Sequence, residues 1–275
     1  MLNVHPEREL PRFAPQTFRS WFVSRSEVKT TGRREVVLFA DTFNNFFEPR
    51  VLIAAVEVLE RAGFGVTLPT RDLCCGRPLH DAGLLDLART RLGDALETLA
   101  PFAARGAAIV GLEPSCLLSF RDELPSLFPR DPRAATLADR AMLLDEFLAR
   151  EAPELKLPAV VRPALVHGHC HQKALGTMGA ELGLLGRIDG LNVVTPDAGC
   201  CGMAGAFGYA ADRYEISRAI AERALMPAVR ASASGTIIVA DGFACRAQIR
   251  HFCPERRPIH LAQMLNEVMS NQSGE

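Results

Sequence analysis

Four of the eight cysteines of this chain form two adjacent pairs, each closed by a glycine: Cys74-Cys75-Gly76 and, 126 residues later, Cys200-Cys201-Gly202. A lone cysteine follows each pair, Cys116 behind 40 intervening residues and Cys245 behind 43. About thirty residues ahead of the second pair stands Cys170, and 128 residues before it, at the matching place in the first copy, stands Thr42. Both lone cysteines come just after a β-branched run, at 107–111 and 236–240. Spacing and context repeat together, which predicts an internal duplication with four cysteines in the second copy and three in the first.

Thiolates are soft ligands that select zinc, copper(I) or iron–sulfur clusters over hard cations. Neighbouring residues on regular structure point apart, so a vicinal pair serves one site only where the backbone turns sharply. Gly76 and Gly202 supply the permissive residue for that turn. Closely set vicinal sulfurs suit a cluster of several irons better than a single zinc ion. Cys170, Cys200, Cys201 and Cys245 are therefore the expected ligands of one metal site. Cys74, Cys75 and Cys116 are candidates for a second that lacks a fourth sulfur, for which Thr42, Asp41, Glu113, His80 or an exogenous group is available. A redox disulfide and plain buried thiols are the competing readings.

Three histidines, His167, His169 and His171, surround Cys170. Hydrogen bonding around the sulfurs, or lining the mouth of the site, is expected of His167, His169 and His171 rather than ligation. The small residues from Gly202 onward let the backbone approach the site and donate N–H groups. Cys253, without a counterpart in the first copy, reads as a packed, inert thiol. No catalytic residue stands out.

These residues need elements to position them. Short apolar runs at 35–40, 66–68 and 107–110 read as strands, and helical spacing covers 50–62, 84–105 and 137–149. The order recurs with strands at 164–166, 192–194 and 236–240, helices at 181–185, 213–230 and 261–269, and a further helix opened by Cys116. Alternating strands and helices predict an α/β fold of two duplicated lobes, each a small parallel sheet with crossover helices. In such a sheet the loops after neighbouring strands converge on one crevice, so cysteines distant in sequence meet there. The expected divisions are an irregular arm over 1–34, a first lobe over 35–151, a proline-bearing linker over 152–163, a second lobe over 164–270 and a tail over 271–275.

Of 275 residues, 48% are hydrophobic and 23% charged, with a net charge of −1. That balance suits well-buried lobes and gives no reason to expect nucleic acid as a partner. No apolar run is long enough for a transmembrane segment, and the first residues lack the form of a secretion signal, so the expected location is cytoplasmic. In a reducing compartment metal binding or redox chemistry outranks a disulfide framework.

The pattern Cys-x29-Cys-Cys-Gly-x42-Cys, with its partial first copy, resembles the cysteine-rich CCG domain of iron–sulfur oxidoreductase subunits. The phrases Leu10-Pro-Arg-Phe-Ala, Phe39-Ala-Asp-Thr-Phe-Asn-Asn-Phe-Phe, His169-Cys-His-Gln-Lys and Cys200-Cys-Gly-Met-Ala-Gly-Ala-Phe are similar to the carboxyl-terminal part of FAD-linked D-2-hydroxyacid dehydrogenases and to the glycolate oxidase iron–sulfur subunit. The resemblance implies a 4Fe-4S cluster on the second repeat and either a second cluster or zinc on the first. It implies FAD on a flavoprotein partner and a ferredoxin-like electron carrier as a further partner, with attachment to the inner membrane only through them. Where the family has Cys-x-x-Cys, this chain reads Glu113-Pro-Ser-Cys116 and Gly242-Phe-Ala-Cys245. The flavin and ferredoxin-like segments of larger relatives are not in the sequence. The expectation is a subunit or fragment that moves electrons and is not catalytic alone. A zinc-stabilised docking module and a heterodisulfide-type thiol redox subunit are the alternatives.

Overall fold

The structure, a computed structural model, describes residues 3–25 and 32–270. It divides into two compact units, Phe13–Lys156 and a second formed by Met1–Arg12 with Leu157–Glu275. The first contains α1 (Phe18–Ser24), β1 (Arg34–Leu38), α2 (Thr42–Phe46), α3 (Pro49–Arg61), β2 (Phe64–Thr67), α4 (Arg77–Asp81), α5 (Leu85–Ala104), β3 (Ala108–Gly111), α6 (Pro114–Leu117), α7 (Glu123–Leu127), α8 (Pro132–Arg140), β4 (Ala141–Leu143) and α9 (Leu144–Glu151). The second contains β5 (Arg162–Val166), α10 (Cys170–Ala174), α11 (Met178–Leu185), β6 (Leu191–Val194), α12 (Tyr214–Glu222), α13 (Leu225–Ala231), β7 (Ile237–Val239), α14 (Phe243–Phe252) and α15 (Leu261–Ser270).

Both sheets are parallel, in the order β2-β1-β3-β4 and β6-β5-β7. This is the expected α/β architecture of two like lobes. Val36, Val37 and Leu38 of β1 are all buried, as are Ala164, Leu165 and Val166 of β5. Strands covered on both faces read as continuous apolar runs. In each unit the chain leaves the central strand for one neighbour and then crosses to the other side, so a switch point lies between β1 and β3 and again between β5 and β7.

The duplication extends beyond the cysteines into the helix starts. Asp41 caps α2 by accepting from Asn44 N at 3.0 Å, and 128 residues on His169 caps α10 while its own N–H donates to Gln172 Oε1 at 2.9 Å. Leu143 N donates to Glu146 Oε2 at 2.9 Å to open α9, and 117 residues on His260 N donates to Gln263 Oε1 at 3.0 Å to open α15. The place of β4 is held in the second unit by one residue, Ile259, which bridges Val239 in parallel. Ile259 N donates to Ile238 O and Ala240 N to Ile259 O, both at 2.9 Å.

Three expectations need correction. The single helix over 137–149 is α8, β4 and α9. Ala141, Met142 and Leu143 are all buried and pair with β3, and three residues are too few to show a strand period against a helical background. The single helix over 213–230 breaks at Ala224, because Pro227 has no N–H to donate and its ring would crowd the carbonyl of Arg223. The arm is not wholly irregular: it carries α1, capped by Thr17 accepting from Ser20 N, with Phe18 fully buried. The tail at 271–275 lies outside the described residues.

Candidate metal centre

In the second unit each sulfur reaches the site from a strand's carboxyl end. Cys170 is the first residue of α10, three residues beyond the buried His167 that follows β5. Cys200 and Cys201 lie in the loop after β6, and Cys245 is in the first turn of α14, after β7. The loop is tied down by Lys173, whose Nζ donates to Ala198 O and, at 3.1 Å, to Gly199 O. Gly202 makes the turn at φ +94°, and a Cβ there would run into the backbone carbonyl of Ser217.

The four thiols form one contact chain, Cys170 to Cys200 to Cys201 to Cys245. Hydrogen bonds from Cys170 and Cys201, helped by the N–H groups of Gly202 (3.3 Å) and Ala204, hold Cys200 well below the ordinary thiol range. Cys201 does the same for Cys245, with His167 adding to the effect. Cys170 and Cys201 are pushed up, first by their bonds to Cys200 and then by burial. A cluster of sulfurs that shares its protons in this way suits replacement of those protons by metal. Ala204, at φ +41°, is the one described non-glycine residue in the left-handed region. That conformation aims its N–H at Cys200, in the manner of a backbone nest.

The histidines divide by role. His169 Nδ1 accepts from His171 N at 3.2 Å, which commits that nitrogen to the cap of α10. Burial pushes the His169 pKa down to about 4, so the ring is neutral at ordinary pH. His171 stacks on it with ring centres 5.1 Å apart, and their Nδ1 atoms lie 3.9 and 4.0 Å from the Cys170 sulfur. His169, Cys170 and His171 thus have ligand atoms within 4.8 Å of one another. The buried His167 lies against Cys245, and its ring favours the charged form of that sulfur. A buried imidazole packed against a thiolate chain fits a site built around inorganic sulfur, where further acceptors are present.

Gly242 explains one departure from the family pattern. A Cβ at this position would collide with the His169 ring and come within 3.0 Å of the Cys245 sulfur. In this chain the imidazole fills the space in which a cysteine at 242 would begin. Sequence reasoning missed this exchange and the role of Lys173. For Lys173 a signal existed, since a lysine one turn after Cys170 lies on its helix face.

In the first unit Cys74, Cys75 and Cys116 form a shorter contact chain. Gly76 turns at φ +73° and its N–H lies 3.5 Å from the Cys74 sulfur. Cys75 pulls the Cys116 pKa down, but burial and the carboxylates of Asp41 and Glu113 outweigh it and leave Cys116 at about 11. Thr42 opens α2 just as Cys170 opens α10, and it shares the lining of one cavity with Cys74, Asn45 and Arg91. Asp41 caps α2, Glu113 accepts from Ser115 Oγ at 2.7 Å, and His80 lies 4.0 Å from Asp81. Cys253 is buried against Met226, its sulfur 3.9 Å from that thioether.

Two parallel-sheet units that bring vicinal cysteines to their strand ends define a thiolate-site protein of duplicated build. The cysteine-rich domain model named CCG matches residues 40–121 and 165–250, and the chain belongs to that family. Relatives include a subunit of the anaerobic glycerol-3-phosphate dehydrogenase of Escherichia coli, 30% identical over 90% of this chain and 63% of its own length. Lactate utilization protein A of an Exiguobacterium species is 35% identical over 62% of this chain and 72% of that protein. D-2-hydroxyglutarate dehydrogenase of Pseudomonas putida is 31% identical over 82% of this chain and 22% of that protein. The chain thus spans somewhat under two thirds of the length of the glycerol-3-phosphate dehydrogenase relative. Among the described residues no helix is long and apolar enough to cross a membrane.

Proposed function

We propose that the chain is an electron-transfer component of a flavin-dependent dehydrogenase acting on a 2-hydroxyacid of the lactate or glycolate type. The observation that carries this reading is the contact chain of Cys170, Cys200, Cys201 and Cys245 at three strand ends. The names of the relatives support it, since glycerol-3-phosphate, lactate and 2-hydroxyglutarate each carry an oxidisable secondary alcohol. These four thiolates would hold a 4Fe-4S cluster, which takes up and releases single electrons. Cys201 and Cys245 are buried and exclude water, whereas Cys170 and Cys200 are partly exposed and mark the side by which electrons pass. Gly202, Ala204 and the histidines supply hydrogen bonds that spread the negative charge of the sulfurs. FAD belongs to a flavoprotein partner and a ferredoxin-like carrier is a second partner. The assembly works in the cytoplasm, at the inner membrane only through those partners.

Anaerobic reconstitution followed by desalting is the test, with iron and acid-labile sulfide expected at about four each per chain. Zinc retained in place of iron, in a colourless protein without a reducible signal, rejects the proposal.

The first repeat is proposed to be a weaker site for the want of one sulfur. Thr42→Cys restores the thiol at the position matched by Cys170 and is expected to raise iron above the level of the parent protein. Equal iron in both proteins rejects this role for position 42.

A further inference from the structure

Arg8 precedes both segments matched by the family model, and the cysteine pattern does not include it. Arg8 is 7% exposed, and each of its three guanidinium nitrogens makes a hydrogen bond. Nε donates to Gly208 O at 2.8 Å, Nη1 to Gln248 Oε1 at 2.7 Å and Nη2 to Ser217 Oγ at 3.1 Å. The guanidinium carbon also lies 4.9 Å from the ring centre of Tyr214 and 5.4 Å from that of Phe252.

Each acceptor belongs to a different part of the thiolate site. Gly208 is the middle residue of the 3-10 turn Phe207–Tyr209, in the segment that follows Cys200 and Cys201. Ser217 is the α12 residue whose carbonyl faces Gly202, and Gln248 lies on α14, one turn after Cys245. Gln248 Nε2 donates back to Ser217 Oγ at 3.1 Å, which closes the network. The segment carrying Arg8 is itself fastened. Val4 bridges Ala210, His5 N donates to Tyr209 O at 2.8 Å, and His5 stacks on Tyr214 with ring centres 3.8 Å apart. Tyr214 OH donates to Glu7 Oε2 at 2.5 Å. The Cys201 sulfur lies within electrostatic range of Arg8.

We propose that Arg8 is a positioning residue for the second-repeat site, clamping the Cys200–Cys201 turn to the Cys245 helix and setting a fixed positive charge on the residues that pack around that turn. The inference rests on the four thiolates holding an iron–sulfur cluster. A guanidinium stays charged when buried, and its planar fork meets several acceptors at once, which an ammonium does not. Positive charge in a poorly screened setting favours the more negative, reduced state of a neighbouring centre.

The test uses the full chain, anaerobically reconstituted, in four forms: wild type, Arg8→Lys, Arg8→Met and Gln248→Glu. The midpoint potential is read by titration with electron paramagnetic resonance, and iron release is timed against a chelator. Arg8→Met and Gln248→Glu are expected to move the midpoint to more negative values, the first by removing the charge and the second by neutralising it in place. Arg8→Lys is expected to keep the wild-type midpoint and lose iron about tenfold faster, because it retains the charge and not the fork. If Arg8→Met fails to fold, Gln248→Glu decides, since it leaves Arg8 and its packing intact. An unchanged midpoint in Gln248→Glu overturns the charge, and wild-type iron release from Arg8→Lys overturns the clamp. A wild-type chain that takes up no iron overturns the cluster reading and this inference together, whereas iron-loaded variants indistinguishable from wild type overturn Arg8 alone.

Discussion

Cys201→Ser is expected to leave the second unit folded and to strip it of iron. Cys201 stands in the middle of the thiol chain, touching both Cys200 and Cys245. It is buried in the apolar cluster of Leu165, Met203, Ala221 and Leu225. Serine nearly matches its shape, and its hydroxyl still has both sulfurs as partners, so the cost to folding is on the order of 1–3 kcal/mol. The loss of metal is far larger, because an alcohol oxygen is a poor donor to iron–sulfur centres. Loss of a mere hydrogen-bond partner around a metal site costs roughly 10–100-fold in affinity, and loss of a ligand costs at least that much. Iron retained after reconstitution and desalting is the measurement. Cys253→Ser is the control: its sulfur meets Met226 and belongs to neither thiol chain, so the variant keeps its iron. Wild-type iron in Cys201→Ser removes this residue from the site.

Gly202→Ala is expected to destabilise the second unit by about 2–5 kcal/mol, which sums a left-handed backbone penalty and an overpacking cost. The backbone at φ +94° disfavours any side chain, and the new methyl would meet the carbonyl of Ser217 and come within 3.1 Å of Gln248 Nε2. Neither neighbour is free to retreat, because Arg8 bonds to both residues. A midpoint of thermal unfolding lowered by roughly 5–15 °C is the expected result. Gly199→Ala, three residues earlier, serves as the comparison. Its methyl would meet nothing within 4 Å, so its effect stays within about 0.5 kcal/mol. Equal melting of the two variants contradicts the close approach at Gly202.

The parts of this fold that were legible in sequence are those in which one residue type has one plausible use. Vicinal cysteines closed by glycine gave the turns at Gly76 and Gly202, and both have positive φ. The spacing gave the correspondence of Thr42 with Cys170, while the helices α2 and α10 that both residues open went unread. What was hidden depends on partners. The strand β4 exists because β3 offers it an edge, and nothing within Ala141–Leu143 states that. Arg8 meets its acceptors 200, 209 and 240 residues away, a separation at which local pattern carries no information. Gly242 looked like a missing ligand, yet the His169 ring occupies the space beside it. Pro227 was readable as a helix break and was passed over because the apolar spacing continues through it.

The paired helix starts carry an implication for how such a site changes over time. The bonds from Asn44 N to the Asp41 carboxylate and from His169 N to Gln172 Oε1 fasten the opening turns of α2 and α10 without using the side chains of Thr42 or Cys170. Each socket is therefore braced independently of the residue seated in it. One substitution at the seat can exchange an alcohol for a thiol while the brace stays as it was, so two copies of a single ancestral socket are free to diverge in what they hold.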